Sequence, residues 1–135
     1  MNPEVGTELP PFAAGPITRT TLALFAGASG DHNPVHIDID AARAAGHDDV
    51  FAHGMLTMAH VGRLLTGWVP QERIRSLSGR FEAPTPVGAD PTVTAVVTAV
   101  DDDGLATVDL AVTLGDGTRT MTGRAIVAPE PRAQP

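Results

Sequence analysis

The chain contains no cysteine and no lysine. Because cysteine is absent from all 135 residues, disulfide bonds, thiolate catalysis and cysteine-ligated zinc sites are excluded. All nine positively charged side chains are therefore arginines, and the formal net charge is −7. An acidic chain without clustered basic residues is a poor candidate for nucleic-acid binding, so we expect no nucleic-acid partner.

Long apolar runs are also missing. Although 42% of the residues are hydrophobic, no stretch of about 18 apolar residues is present, and we expect no membrane span. Residues 1–5 carry neither a basic region nor an apolar stretch, so the sequence predicts no signal peptide. These observations are compatible with a cytoplasmic location. The length fits a single domain over residues 1–135 with a sizeable core, and the polar end predicts a loose tail over 129–135.

The most informative segment that is present is Gly30–His36, with the sequence GDHNPVH. It places a carboxylate, an amide and two imidazoles on one loop. Pro34 fixes its own φ and disfavours helical geometry at the residue before it, so the loop can turn Asp31 and His36 toward one point. A carboxylate and an imidazole directed at one water molecule can transfer protons near neutral pH.

A second informative segment is Phe51–His60, with the sequence FAHGMLTMAH, which is typical of the start of a buried helix. A helix N-terminus presents backbone amides without intrahelical partners and the positive end of a dipole. Gly54 at this position lets a ligand approach closely, and its amide could stabilise an oxyanion. The alternative is a glycine required only for packing. His53 either supports the site from behind or caps the helix.

The two segments together resemble the MaoC-like hydratase/dehydratase family, which includes (R)-specific enoyl-CoA hydratases and (3R)-hydroxyacyl dehydratases. The matching positions run from Phe25 through Gly30–His36 and Ala42 to the AHGM stretch at 52–55. This resemblance implies an α+β hotdog fold, in which an antiparallel sheet wraps around a central α-helix. A second subunit would cover the open edge of such a sheet, so we expect a homodimer, or a heterodimer with another hotdog subunit.

The resemblance also implies an activity. A hydro-lyase of this family interconverts trans-2-enoyl thioesters and (3R)-3-hydroxyacyl thioesters of CoA or acyl carrier protein, with no cofactor. Asp31 and His36 would activate the water, while Gly54, Asn33 and His53 would lie around the oxyanion or the substrate. Two alternatives remain open. One is a non-catalytic or partner-dependent hotdog subunit that binds acyl thioesters, and the other is a thioesterase, which the Asn-Pro-x-His pattern disfavours.

Two further clusters bear on metals and partners. Within nine positions the sequence offers four nitrogen and oxygen ligands, namely His32, His36, Asp38 and Asp40. Pro34 interrupts a helical pairing of the two histidines, so the sequence predicts no metal site. An acidic carrier protein would require a basic patch. One could form if folding brings together Arg63, Arg73, Arg75 and Arg80.

Periodicity divides the chain into a helical part and a sheet. The apolar spacing predicts helices over 20–28, 40–45 and 54–65, of which the last is apolar on nearly all sides and should be buried. The later sequence predicts strands over 74–81, 92–100, 105–114 and 118–127. Because one buried helix is followed by consecutive antiparallel strands, the pattern indicates an α+β domain.

Overall fold

In the computed structural model, which describes residues 3–131, helices occupy the first half of the chain and most of the sheet occupies the second. The helices are α1 (Arg19–Ser29), α2 (Ile39–Ala44) and α3 (Gly54–Trp68), with 3₁₀ turns at Pro34–His36 and Gln71–Arg73. The strands are β1 (Phe12–Ala13), β2 (Ile74–Phe81), β3 (Thr92–Val100), β4 (Ala106–Thr113) and β5 (Arg119–Val127). No helix between residues 3 and 131 is both long and apolar enough to reach across a bilayer.

The five strands form one antiparallel sheet in the order β1-β3-β4-β5-β2. The three strands β3, β4 and β5 are neighbours in both sequence and space, because tight turns connect them. The first turn is held by Asp101, whose carboxylate accepts the amides of Asp103 and Leu105. Strand β2 follows the 3₁₀ turn at Gln71–Arg73 and lies at one edge of the sheet, so it pairs with β5 alone among the described strands.

The main core lies between α3 and one face of the sheet. Along β4 the residues alternate strictly, and Val108, Leu110 and Val112 are buried against the helix residues Val61 and Leu65. This alternation follows from the two-residue period of a strand. Burying each such side chain contributes on the order of 1.5–3 kcal/mol as an upper estimate.

A second, smaller core joins the segments that precede the sheet. It contains Leu22 of α1, Ala42 of α2, Val50 from the segment before α3, and Leu56 of α3. This cluster fixes the loop after α1 and the start of α3 relative to one another. The two segments that the sequence singles out, 30–36 and 51–60, are therefore brought together by packing that sequence spacing alone does not reveal.

The predicted fold is confirmed: a five-stranded antiparallel sheet packs against a central helix. Strands β2 and β3 have the predicted bounds, while α3 continues past residue 65 to Trp68 before Pro70 ends it. Strand β1 was not predicted from the sequence, because its two residues are extended only through pairing with Val93 and Thr92. Of the predicted tail over 129–135, residues 132–135 lie outside the described part of the chain.

Candidate active site at the start of the central helix

The loop after α1 is folded by its own short polar side chains. Helix α1 ends at Gly30, whose φ of 77° is in the left-handed region that glycine adopts readily. The Asp31 carboxylate oxygen Oδ1 then accepts the amide of Asn33, and Asn33 Oδ1 accepts the amide of Val35. These are turns in which a side chain replaces a backbone acceptor. The result is a compact 3₁₀ turn that ends at His36.

The loop brings Asp31 and His36 face to face, as the sequence predicts. Because Oδ1 of Asp31 is used in the turn, the other oxygen, Oδ2, is free to face the imidazole, and it lies 4.0 Å from His36 Nε2. The two side chains differ in exposure, with 52% of Asp31 and 9% of His36 accessible. One group therefore meets solvent while the other is held in the protein.

Phe51 fixes the orientation of the His36 ring. The backbone oxygen of Phe51 lies 2.7 Å from His36 Nδ1. A carbonyl oxygen can only accept, so Nδ1 carries the proton and, in the neutral ring, Nε2 keeps its lone pair toward Asp31. The Phe51 ring also contacts the His36 ring edge-to-face, with centroids 5.1 Å apart. Sequence reasoning missed this role, because every residue has a backbone carbonyl and the residue type does not show which one is used.

His53 lies directly behind the pair. Its ring stacks on His36 with centroids 4.0 Å apart, and its Nε2 donates to the backbone oxygen of Asp31 at 3.1 Å. The ring is buried, and its Nδ1 has no hydrogen-bond partner within residues 3–131. Burial, and to a lesser extent the neighbouring His36, lower the pKa of His53. His53 is therefore held in its neutral form, and it contacts both members of the pair.

Gly54 begins helix α3 at the mouth of the site. The residue before it, His53, makes no side-chain hydrogen bond to the helix. Leu56 is the first residue of α3 whose amide has an acceptor among residues 3–131, namely the backbone oxygen of His53. The amide of Gly54 is thus available, as helix geometry leads one to expect. A packing reason for the glycine also exists, since an added Cβ would meet the Phe81 ring at 3.1 Å.

Asn33, which the resemblance places around the oxyanion or the substrate, is a turn residue of the loop in the structure. Its Oδ1 holds the Val35 amide, and its backbone oxygen accepts the His36 amide at 3.1 Å. Asn33 therefore shapes the backbone that carries His36. The side chain reaches the pair only through this loop.

The structure brings together a set of possible metal ligands that differs from the set noted in the sequence. Asp31, His36 and His53 place one ligand atom each within 4.8 Å of one another. The two imidazole planes, however, are stacked at an angle of 27°, and a metal must lie near the plane of each ring whose nitrogen binds it. Nearly parallel, overlapping rings do not direct their lone pairs at one ion, so this arrangement suits proton transfer better than metal binding.

The basic patch considered for a carrier protein does not form as a set of four. Arg73 is buried, and its Nε donates to the backbone oxygen of Ala128 at 2.9 Å. Its Nη1 lies 3.7 Å from Oε1 of Glu130, so it ties the end of the described chain to the 3₁₀ turn before β2. Arg73 is therefore a structural residue and is unavailable to a partner surface.

A cleft with a volume of about 340 Å³ opens beside Gly54. Phe51 and Phe81 contribute to its walls, and Thr57 and Thr85 also line it. Phe51 links the cleft to the pair, because it lines the cleft and its backbone oxygen holds His36. Gly54 lines the cleft directly, whereas Asp31 and His36 are not among its lining residues.

These features define a class of protein: an α+β fold whose central helix begins at a carboxylate–imidazole pair and an adjoining cleft. A family model described as the MaoC like domain matches residues 2–118. The chain belongs to this family. The resemblance noted in the sequence is therefore confirmed.

Individual relatives agree with this assignment. The chain is 33% identical over 108 residues to 3-hydroxyacyl-thioester dehydratase Z of Mycobacterium tuberculosis, covering 71% of this chain and 68% of that protein. It matches the unliganded R-hydratase PhaJ1 of Pseudomonas aeruginosa with a TM-score of 0.83 and 30% identity, over 95% of this chain and 83% of the other. The hotdog fold is thereby shown.

A further solved structure is a complex of two chains. The match to the ChsH1-ChsH2 complex of Mycobacterium tuberculosis has a TM-score of 0.84 and 28% identity, over 94% of this chain and 98% of that chain. Relatives of this chain thus include subunits of a two-chain assembly. Named relatives of this chain include (R)-hydratases and 3-hydroxyacyl-thioester dehydratases, and other relatives are UPF0336 proteins.

Proposed function

We propose that this protein is a hydro-lyase that interconverts trans-2-enoyl thioesters and (3R)-3-hydroxyacyl thioesters. The observation that carries the proposal is the 4.0 Å separation between His36 Nε2 and Asp31 Oδ2, with Nε2 left as an acceptor by the bond from Nδ1 to Phe51. Two acceptors at this separation can share one water molecule that donates an O–H to each at ordinary hydrogen-bond lengths.

The water held in this way is the proposed nucleophile. Its oxygen would attack Cβ of the enoyl thioester, while the pair takes one of its protons and delivers a proton to Cα. Positioned acid–base groups of this kind contribute roughly 10²–10⁴ in rate. Because Asp31 is more exposed than His36, we assign the proton exchange with solvent to the carboxylate.

The thioester carbonyl develops negative charge when water adds at Cβ. In our proposal the amide of Gly54 and the positive end of α3 stabilise this charge, because the helix start offers donors without protein acceptors. One such donor is worth about 3–4 kcal/mol of barrier. The chemistry proposed here uses groups of the protein and water alone.

We further propose that a second hotdog subunit covers the edge formed by β2. This strand of 8 residues ends the sheet, and a free edge of that length invites strand pairing. Large apolar side chains are exposed nearby, with Phe81 53% and Met55 62% accessible. A second copy of this chain is the simplest occupant, and a different hotdog chain is the alternative.

Hydration of crotonyl-CoA tests the proposal. Adding the purified protein should reduce the absorbance of the enoyl thioester, with (3R)-3-hydroxybutyryl-CoA as the product. Asp31→Asn and His36→Ala should each lower kcat by at least about 100-fold while circular dichroism shows an intact fold. Undiminished rates in both variants would refute the assignment of the pair.

Inactivity of the wild-type chain needs a second measurement. Gel filtration with mass detection reports whether the chain alone forms a dimer. An inactive monomer that gains hydratase activity with another hotdog chain would make it a partner-dependent catalytic subunit. An inactive dimer that still binds acyl thioesters would make it a non-catalytic binding subunit. Release of free CoA in place of the hydroxyacyl product would identify a thioesterase.

A further inference from the structure

The cleft beside Gly54 contains two buried threonines that the proposed proton chemistry does not use. Thr57 and Thr85 are only 5% and 4% exposed. Both line the cleft, Thr57 from helix α3 and Thr85 from the segment after β2. Buried polar side chains usually have hydrogen-bond partners, so the partners of these two hydroxyls need to be identified.

Neither hydroxyl is used within the described part of the chain. No hydrogen bond among residues 3–131 involves the Thr57 or the Thr85 hydroxyl, and neither oxygen is among the enclosed side-chain atoms that lack a partner. Both hydroxyl oxygens therefore retain some exposure, and the cleft is a space that both residues line. By contrast, the third buried threonine of the cleft, Thr120, donates to the backbone oxygen of Val112. Two of the three hydroxyls are thus free to bind a ligand.

The position of both residues is fixed relative to the site. Thr57 lies one helical turn after Gly54, on the same side of α3. The backbone oxygen of Thr85 accepts the amide of Ala52, and Val87 donates to Val50. This short antiparallel pairing runs past Phe51, the residue that holds His36. The two hydroxyls are therefore built into the same rigid unit as the acid–base pair.

Charge in the cleft restricts what the hydroxyls can bind. The remaining polar side chain of the lining is Glu82. Arg119 holds it with a bond of 2.8 Å from Nε, and this guanidinium lowers the pKa of Glu82, so the group stays a carboxylate. The positive charge of Arg119 compensates this carboxylate, so the lining presents no unpaired charge to a ligand. The complementary group is neutral and carries a carbonyl, amide or hydroxyl oxygen.

We propose that Thr57 and Thr85 bind a neutral oxygen-bearing group of the thioester substrate and so determine which thioesters the cleft accepts. This inference rests on the proposed function for the identity of the substrate. An apolar group that filled the cleft would leave two buried hydroxyls without partners, which is unfavourable, whereas an amide or hydroxyl would pair with them. Two parts of a substrate carry such a group: the amide-bearing pantetheine arm, and an oxygen substituent on the acyl chain.

The test measures binding, so that it does not depend on turnover. Titration calorimetry with the Asp31→Asn protein gives the Kd of crotonyl-CoA and of 4-hydroxycrotonyl-CoA. Thr57→Val and Thr85→Val are then introduced into this background, because valine keeps the shape of threonine without its hydroxyl. Each should weaken binding about three- to tenfold. Thr57→Ser, which keeps the hydroxyl, should restore it, and Thr20→Val at an exposed position of α1 is the matched control.

The two ligands separate the two sources. Equal weakening for both identifies the pantetheine arm, and weakening for 4-hydroxycrotonyl-CoA alone identifies the acyl substituent. Unchanged or tighter binding of both ligands by the valine variants would overturn the inference, as would the absence of binding to the Asp31→Asn protein. Thioester binding that depends on the threonines in a protein without hydratase activity would refute the proposed function and leave the inference standing.

Discussion

Two histidines seven positions apart, one just before α3 and one in its middle, both have a lowered pKa and have different neighbours. Each has an Nδ1 that is buried without a partner among the described residues, and burial lowers the pKa of both. His53, however, stacks on His36 and donates to the Asp31 backbone. His60 has the Phe12 ring as its aromatic neighbour, at a centroid distance of 6.1 Å.

The comparison shows that burial and a perturbed pKa do not by themselves identify a functional histidine. Such shifts are common at active sites, but ordinary packing produces them as well. What distinguishes His53 is that it contacts both residues of the proposed acid–base pair. We therefore treat His53 as a positioning residue and His60 as a half-buried packing residue.

Truncating both histidines gives the largest expected difference. His53→Ala should lower kcat for crotonyl-CoA hydration about 100-fold, because loss of the stacked ring and of the bond to Asp31 lets the pair shift by a fraction of an ångström or more. His60→Ala should change kcat by less than about threefold, although both variants lose stability through the cavities that they create. Steady-state kinetics with thermal unfolding measures both effects.

A conservative variant controls this experiment. His53→Gln keeps an N–H that can reach the Asp31 backbone and should recover part of the lost kcat, with KM unchanged. Equal losses of kcat in the two alanine variants would show that the contacts of His53 have no special role. Full activity of His53→Ala would lead to the same conclusion.

A matched pair of glycines extends the comparison along the same helix. A methyl group at Gly54 would contact the Phe81 ring, whereas one at Gly62 would meet nothing within 4 Å. Gly54→Ala should therefore destabilise the fold by about 1 kcal/mol and lower kcat/KM about tenfold, because the methyl obstructs the approach of substrate to the amide. Gly62→Ala should increase stability by about 0.5–1 kcal/mol.

The double variant Gly54→Ala with Phe81→Leu separates the two reasons for the glycine. The smaller leucine should restore the free energy of unfolding while kcat/KM stays low. If both quantities returned to wild-type values, the glycine would be required for packing only. Chemical denaturation and the crotonyl-CoA assay provide the two readouts.

The smallest expected effect is a change in the pH dependence of stability. Because the folded-state pKa values of His53 and His60 lie below the ordinary 6.5, the unfolded chain takes up protons first as the pH falls through that value. Stability therefore decreases from about pH 6.5 down to each lowered pKa. His60→Leu removes one of these groups and should lose less stability than wild type between about pH 7 and pH 5.

Urea denaturation at the two pH values measures this loss. His47→Leu serves as a control, since it removes a histidine from elsewhere in the chain. An acid-induced loss of stability in His60→Leu that equals the loss in wild type would contradict a half-buried His60 with a lowered pKa.

Much of the fold could be predicted because local patterns coincide with the tertiary structure. The β-branched run 92–100 and the alternating residues of β4 have one satisfactory packing arrangement each, and their bounds were predicted closely. Strand β1 could not be predicted, since its two residues depend on a partner strand that lies about 80 positions away in the sequence. Short elements of this kind are defined by pairing and not by propensity.

The candidate site shows the same contrast between residues set by local sequence and residues placed by long-range packing. Asp31 and His36 could be predicted because both lie on one loop whose turn chemistry is local. The carbonyl of Phe51, the stacked ring of His53 and the hydroxyl of Thr85 could not be placed, because packing of distant segments brings them together. Sequence spacing identifies the proposed acid–base pair, and the structure adds the groups that hold it.

Phe51 belongs to both the chemistry and the cleft, since its carbonyl holds His36 and its side chain forms part of the cleft wall. A substrate that displaces this residue would also tilt the imidazole of the proposed acid–base pair. We therefore expect discrimination among substrates to be expressed in turnover more than in affinity. A poorly fitting thioester would still bind, and its misfit would slow the proton transfer.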